Sequence, residues 1–157
     1  MRKLPLLSLV SILLLGLFGC ASRPRTGQLG ETMTFPGIAF RVDTATTLEY
    51  LTLEGGFFGG SKLKPTDTST VYMGVDMTIM NLQDTAISVE RGPMVLLDAN
   101  GNECSRIDNP HENNINAKDS ARVSHTFVIK RGAVSGAALR VQDPFTHQTG
   151  MIYLNRK

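Results

Sequence analysis

Val71-Tyr72-Met73-Gly74-Val75-Asp76-Met77-Thr78-Ile79-Met80-Asn81 alternates in character at nearly every step. Val71, Met73, Val75, Met77 and Ile79 fall on one side of an extended chain. Tyr72, Gly74, Asp76 and Thr78 fall on the other. Side chains of a strand point alternately to opposite faces, so this run predicts a half-buried β-strand. Ala121 to Lys130 repeats the pattern, with Val123, Phe127 and Ile129 inward and Arg122, Ser124, Thr126 and Lys130 outward. Ala137, Leu139 and Val141 form a third inward set, and Ile38, Phe40 and Val42 a fourth. Shorter strand candidates are Leu48–Leu53, Ala86–Glu90, Met94–Asp98, Glu103–Ile107 and Met151–Leu154. No segment from Thr32 onward carries a long 3.6-residue period; Asn109–Lys118 has room for one short helical turn.

Turn chemistry agrees with the strands. Leu82-Gln83-Asp84-Thr85 separates two apolar runs with short polar residues. Asp98-Ala99-Asn100-Gly101-Asn102 holds Asn-Gly between apolar runs, a strong hairpin signal because both residues tolerate positive φ. Lys130-Arg131-Gly132 closes another strand. About eight or nine short strands at this spacing predict an all-β, immunoglobulin-like antiparallel β-sandwich spanning residues 32–157, long enough to bury its own core.

The N-terminus has a different character. Met1-Arg2-Lys3 is short and basic, and Leu4 to Phe18 follows without a charge. This is the form of a secretory signal, and the run is shorter than a comfortable membrane span. Leu17-Phe18-Gly19-Cys20 closes it, and these four residues resemble the lipobox of bacterial lipoprotein signal peptides. The resemblance implies that residues 1–19 are a signal peptide removed by signal peptidase II. Leu17, Phe18 and Gly19 are its recognition residues, and Cys20 becomes an N-terminus carrying acyl chains such as palmitate. An uncleaved anchor helix, or an ordinary cut near Ala21, is the alternative. Ala21-Ser22 follow the cysteine in place of Asp, which for a Gram-negative source implies the outer membrane, facing the periplasm. Residues 20–31 carry no apolar periodicity and read as a flexible tether.

Removing the leader also changes the charge. The full chain has 16 basic and 14 acidic residues; Arg2 and Lys3 lie in the leader, leaving a neutral remainder. No basic excess is left to favour nucleic acid. With Cys20 acylated, Cys104 has no partner for an intrachain disulfide, and without a basic neighbour it reads as an inert thiol.

Beyond the signal, the strand Val71–Ile79 with its following Asn81, the hairpin from Met94 to Cys104, and the late strand Val123–Ile129 are together similar to a known type. They resemble the telokin-like, immunoglobulin-like domains of small bacterial lipoproteins, in order over about residues 34–154. That family implies a sandwich and supplies no catalytic residues to transfer.

Asp98, Asn100, Asn102 and Glu103 suggest a calcium loop, but Gly101 comes too early for an EF-hand. His111, His125 and His147 are far apart, and none has a metal-ligand spacing. His125 shares the inward parity of Val123 and Phe127, where a core or sheet-edge role is the simpler reading. No Gly-x-Ser-x-Gly elbow and no phosphate-binding loop is present. Glu54-Gly55-Gly56-Phe57-Phe58-Gly59-Gly60 is the unusual stretch. Its phenylalanines either tuck beneath the sandwich end or stand exposed as a partner loop. Lys62 and Lys64 beside it suit an anionic surface.

The expectation from sequence is a lipid-anchored envelope module without catalysis, metal or cofactor. Its membrane contact runs through Cys20, and its protein partner in the envelope is met by Phe57, Phe58, Lys62 and Lys64. The alternative is a small-ligand or metal-binding lipoprotein built on His111, His125 and Glu112.

Overall fold

The computed structural model describes residues 25–53, 61–89, 94–107 and 113–155. The signal peptide, Cys20, Phe57, Phe58, His111 and Glu112 lie outside these residues. The strands are β1 (Arg25–Gln28), β2 (Thr32–Thr34), β3 (Ile38–Leu48), β4 (Leu51–Leu53), β5 (Ser61–Leu63), β6 (Thr70–Asn81) and β7 (Ile87–Val89). They continue with β8 (Met94–Leu97), β9 (Ser105–Arg106), β10 (Asn113–Ile115), β11 (Ser120–Lys130), β12 (Ala138–Gln142) and β13 (Thr149–Tyr153).

One sheet has the order β2-β3-β6-β11-β9 and the other β1-β13-β12-β8. Their inner faces meet in a single core. Alternation put the right residues there. Val71, Met73, Val75, Met77 and Ile79 of β6 are buried, as are Val123, Phe127 and Ile129 of β11 and Ala137, Leu139 and Val141 in or beside β12. Each large apolar side chain so buried contributes about 1.5–3 kcal/mol before the cost of ordering it. The fold is thus the all-β, immunoglobulin-like sandwich expected from the sequence, with two small satellite pairs, β7–β10 and β4–β5.

Four points correct the expectation. Arg25–Gln28, read as part of the tether, is strand β1 and pairs with β13 from Arg25↔Gly150 to Gln28↔Tyr153. That pair is parallel, so the sandwich is not wholly antiparallel. Arg-Thr-Gly-Gln has no apolar alternation to reveal it; backbone hydrogen bonds and close packing seat it instead. A Cβ added at Gly150 would overlap Met33 Sδ, so the glycine leaves room for the Met33 side chain of β2 against this pair. The third correction concerns Asn109–Lys118, where Asn113–Ile115 forms β10, antiparallel to β7, in place of a helical turn. The fourth is on β6, where Tyr72 and Thr78 are also buried although their parity is outward.

The long strands β3, β6 and β11 define two ends. Ile38 pairs with Asn81 and Ser120 with Met80 at one; Leu48 pairs with Tyr72 and Lys130 with Thr70 at the other. These are called the Asn81 end and the Leu48 end. The 12 residues of β6 make the sandwich about 40 Å long.

Asn81 closes its end. It is 1% exposed, and its Nδ2 donates to the carbonyls of Thr85 (2.7 Å), Asn116 (2.9 Å) and Ile115 (3.2 Å). Its Oδ1 accepts from Gln83 N at 2.9 Å, and its own N–H donates to Asp119 O at 2.9 Å. The carboxamide therefore joins β6 to the β6–β7 turn and to the end of β10. Stranding these backbone groups in Asn81→Ala is expected to cost about 3 kcal/mol. Asn81→Asp should cost at least as much, because a carboxylate then faces three carbonyls. Urea midpoints at unchanged m-value measure both, and a midpoint equal to that of the parent would show the amide to be dispensable.

Candidate functional site

The β4–β5 hairpin belongs to neither large sheet. Leu51 pairs with Leu63, Thr52 with Lys62 and Leu53 with Ser61, and the pair bonds to no other strand. It follows β3 at the Leu48 end and returns through Pro65 to β6. The Glu54–Gly60 stretch joins its two strands. The sequence suggested one strand over Leu48–Leu53. The chain instead breaks at Glu49-Tyr50 and leaves the sheet there.

A groove of about 490 Å³ lies at the hairpin base, lined by Glu49, Tyr50, Lys62, Lys64, Asp67 and Arg131 among others. Lys62 Nζ sits 4.2 Å over the Tyr50 ring, a cation–π contact that leaves the ammonium facing solvent. Arg131 grips Glu49 with both nitrogens, at 2.5 and 2.8 Å. The Arg131 hydrogen bonds hold the Glu49 carboxyl below its ordinary range, and the same contact pushes the Arg131 guanidinium up. Asp67 accepts from Ser69 N (2.8 Å) and Ser69 Oγ (2.7 Å), which pulls its acidity the same way and ties the turn into β6. Both carboxylates are thus committed within the chain. Among the described residues no ion pair involves Lys62 or Lys64. With Lys62, Lys64 and Arg131 against Glu49 and Asp67, the charged lining of the groove is net positive by one. Around it stand Tyr50 at 40% and Leu63 at 46% exposure.

The sequence brought Lys62 and Lys64 into view, and the structure unites them in this groove. It does not describe Phe57 and Phe58. Tyr50, Glu49 and Arg131 were missed: Glu49 and Arg131 are 82 positions apart, and only the fold makes them neighbours.

Among the described residues, Asp98, Cys104 and His125 sit in structural surroundings. Asp98 is buried and accepts from Asn100 N (2.8 Å), Asn102 N (2.9 Å) and Asn102 Nδ2. The side-chain and backbone donors of Asn102 hold its carboxyl below the ordinary range. N–H donors thus occupy the oxygens that a calcium ion would need, and Gly101 at φ 82° completes a hairpin turn. Cys104 is half-buried, and burial, then the Asp98 charge, pushes its thiol up, away from thiolate chemistry. His125 is buried beside Phe127 with ring centroids 6.3 Å apart. No group of three His, Cys, Asp or Glu among the described residues is placed to hold a metal ion.

On the outer face of β3, β6 and β11, Asp43 accepts from Thr78 Oγ1 (2.6 Å) and Arg41 Nε (2.7 Å). Asp76 accepts from Ser124 Oγ (2.6 Å) and Thr44 Oγ1 (2.7 Å). The irregularity between Val42 and Thr44 puts Thr44 on this face beside Asp43. The Thr78 hydrogen bond leads in lowering Asp43, and the Ser124 and Thr44 bonds lower Asp76. Both carboxylates are thus held ionised, whereas an acid–base pair needs its values driven apart.

These depressed values make stability depend on pH in a definite direction. The contribution is complete above the unfolded value, about 3.9, and is lost as pH falls through the folded values. Thr78→Val is expected to lower the urea midpoint at pH 7 and to shift acid unfolding to higher pH, the two proteins converging at the acid extreme. Midpoint curves that run parallel from neutral to acid would count against this role.

Neither any family model nor any curated protein matches the chain. Solved structures do. The YjhA protein of Bacillus subtilis superposes with a TM-score of 0.61 at 15% identity, covering 82% of this chain and 99% of that one. An uncharacterised β-sandwich protein of Clostridium difficile gives 0.55 at 9% identity, covering 85% and 95%. YcdA of Bacillus subtilis, a candidate lipoprotein, gives 0.56 at 13% identity, covering 79% of this chain and 38% of that one. At these identities the likeness is one of fold alone.

Proposed function

We propose that this chain is a lipid-anchored envelope module that engages a protein partner through its β4–β5 hairpin and the groove beneath it. The supporting observation is the hairpin itself. It stands apart from both sheets and carries exposed apolar surface. Among the described residues Lys62 and Lys64 form no ion pair there. The sequence pair Phe57-Phe58, flanked by glycines, suits an aromatic anchor of the kind that dominates binding energy. The two lysines suit an acidic rim on the partner.

The anchoring half rests on Leu17-Phe18-Gly19-Cys20. A sandwich resembling a candidate lipoprotein is consistent with it. In this proposal Cys20 carries the acyl chains, the telokin-like lipoprotein domains are its kin, and a Gram-negative source would place it on the outer membrane facing the periplasm. One acyl chain gives only marginal binding, whereas two or more on one residue make release slow.

Two measurements test the halves separately. Cys20→Ser is expected to move the protein from the membrane to the soluble fraction; continued membrane association would remove the lipid anchor from the proposal. Phe57→Ser with Phe58→Ser, and Lys62→Glu with Lys64→Glu, are expected to abolish crosslinking to the same envelope protein while circular dichroism stays unchanged. Equal crosslinking by the folded variants would remove the hairpin from it.

A further inference from the structure

The Asn81 end carries apolar surface that the hairpin does not explain. Phe145 is 46% exposed and Leu82 36%. Both lie against Gly37: Leu82 N donates to Gly37 O at 3.1 Å, and a Cβ on Gly37 would come within 2.9 Å of the Phe145 ring and 2.6 Å of Gln83 Nε2. The loop that presents Phe145 is braced. Asp143, fully buried, accepts from Phe145 N (2.9 Å) and Thr146 Oγ1 (2.5 Å), and its carbonyl accepts from His147 N. Lys118 Nζ donates to Leu82 O at 2.6 Å and sits 3.1 Å from Asp84, which fixes the neighbouring loop. Two large apolar side chains are therefore held outward on rigid supports.

The chain leaves the domain at this same end. Arg25, the first residue of β1, pairs with Gly150, and its guanidinium lies 5.2 Å over the ring of Phe35, which directly precedes the Pro36-Gly37 turn. Cys20 is separated from Arg25 by residues 21–24 alone. Even fully extended, that link reaches only about 17 Å. The Leu48 end lies about 40 Å away along the strands.

We infer that the Phe145–Leu82 surface docks on the lipid interface of the membrane that anchors the chain, so that the sandwich stands end-on and the hairpin groove faces away. This rests on acylation of Cys20. Amphipathic attachment of this kind seats apolar side chains at the headgroup–acyl boundary. Lys62 and Lys64, at the opposite end, then meet a partner in place of their own bilayer.

The chain contains no tryptophan, so one introduced residue reports alone. Lipidated full-length protein carrying Phe145→Trp, Leu82→Trp or Tyr50→Trp is reconstituted on phosphatidylethanolamine–phosphatidylglycerol vesicles with brominated acyl chains. Acylation of Cys20 is read by mass spectrometry on the same samples. Phe145→Trp and Leu82→Trp are expected to lose roughly half their emission against unbrominated vesicles, as interfacial seating brings the ring to the acyl boundary; Tyr50→Trp should keep its own. Acylated protein with neither Asn81-end reporter quenched overturns the docking and leaves the anchor standing. Quenching of Tyr50→Trp to the same degree overturns the end-on orientation. A Cys20 without acyl mass overturns the anchor, and the docking with it.

Discussion

A slip of one residue in the pairing of β6 would turn its whole apolar set to the solvent face. The register is held from both sides, by β3 and by β11, and at its end by a single side chain. Asn81 has two amide hydrogens and one carbonyl, and these serve four backbone groups from two segments. No apolar residue of that volume could fill the place, since each buried carbonyl would lose its donor. The core, the β7–β10 pair and the loops of the Asn81 end thus rest on one amide and the two long ladders beside it.

Legibility in the sequence followed the origin of each element's stability. Strands β6, β11 and β12 are stabilised by burying alternate side chains, and alternation is written in the residues. Strands β1 and β10 read Arg-Thr-Gly-Gln and Asn-Asn-Ile and are held mainly by backbone pairing, which leaves little trace in side-chain pattern. The break at Glu49-Tyr50 was hidden because the apolar residues of Leu48–Leu53 run on through it. Burial of Thr78 was hidden too: Asp43, 35 positions earlier on β3, accepts its hydroxyl. In the groove, Lys62 and Lys64 could be picked out as charges beside a glycine-rich stretch. That they stand outside the ion pairs of the described residues depends on the fold, which sets Arg131 against Glu49.

The two ends of the sandwich divide its chemistry. At the Leu48 end Lys62 and Lys64 form no ion pair among the described residues, and the aromatic Tyr50 is coupled to Lys62. At the Asn81 end the carboxylate of Asp143 is buried and consumed in bracing a loop. Between them, the outer face of the five-stranded sheet spends Asp43 and Asp76 on neighbouring hydroxyls and one guanidinium. Exposed apolar side chains at both extremities stand where a neighbouring body can reach them without disturbing the core.

The parallel seating of β1 on β13 has a mechanical consequence. Strand β1 starts at the Asn81 end and runs toward the Leu48 end, so tension on the preceding segment acts along the strand axis and away from the domain. Such a pull shears the Arg25–Gln28 ladder, loading its hydrogen bonds together; peeling would break them one after another. A parallel edge strand is a poor source of static stability, but in this direction it works as a strain relief. It spreads a tug at the N-terminus over β13 and the sheet behind it before the hydrophobic core is drawn upon.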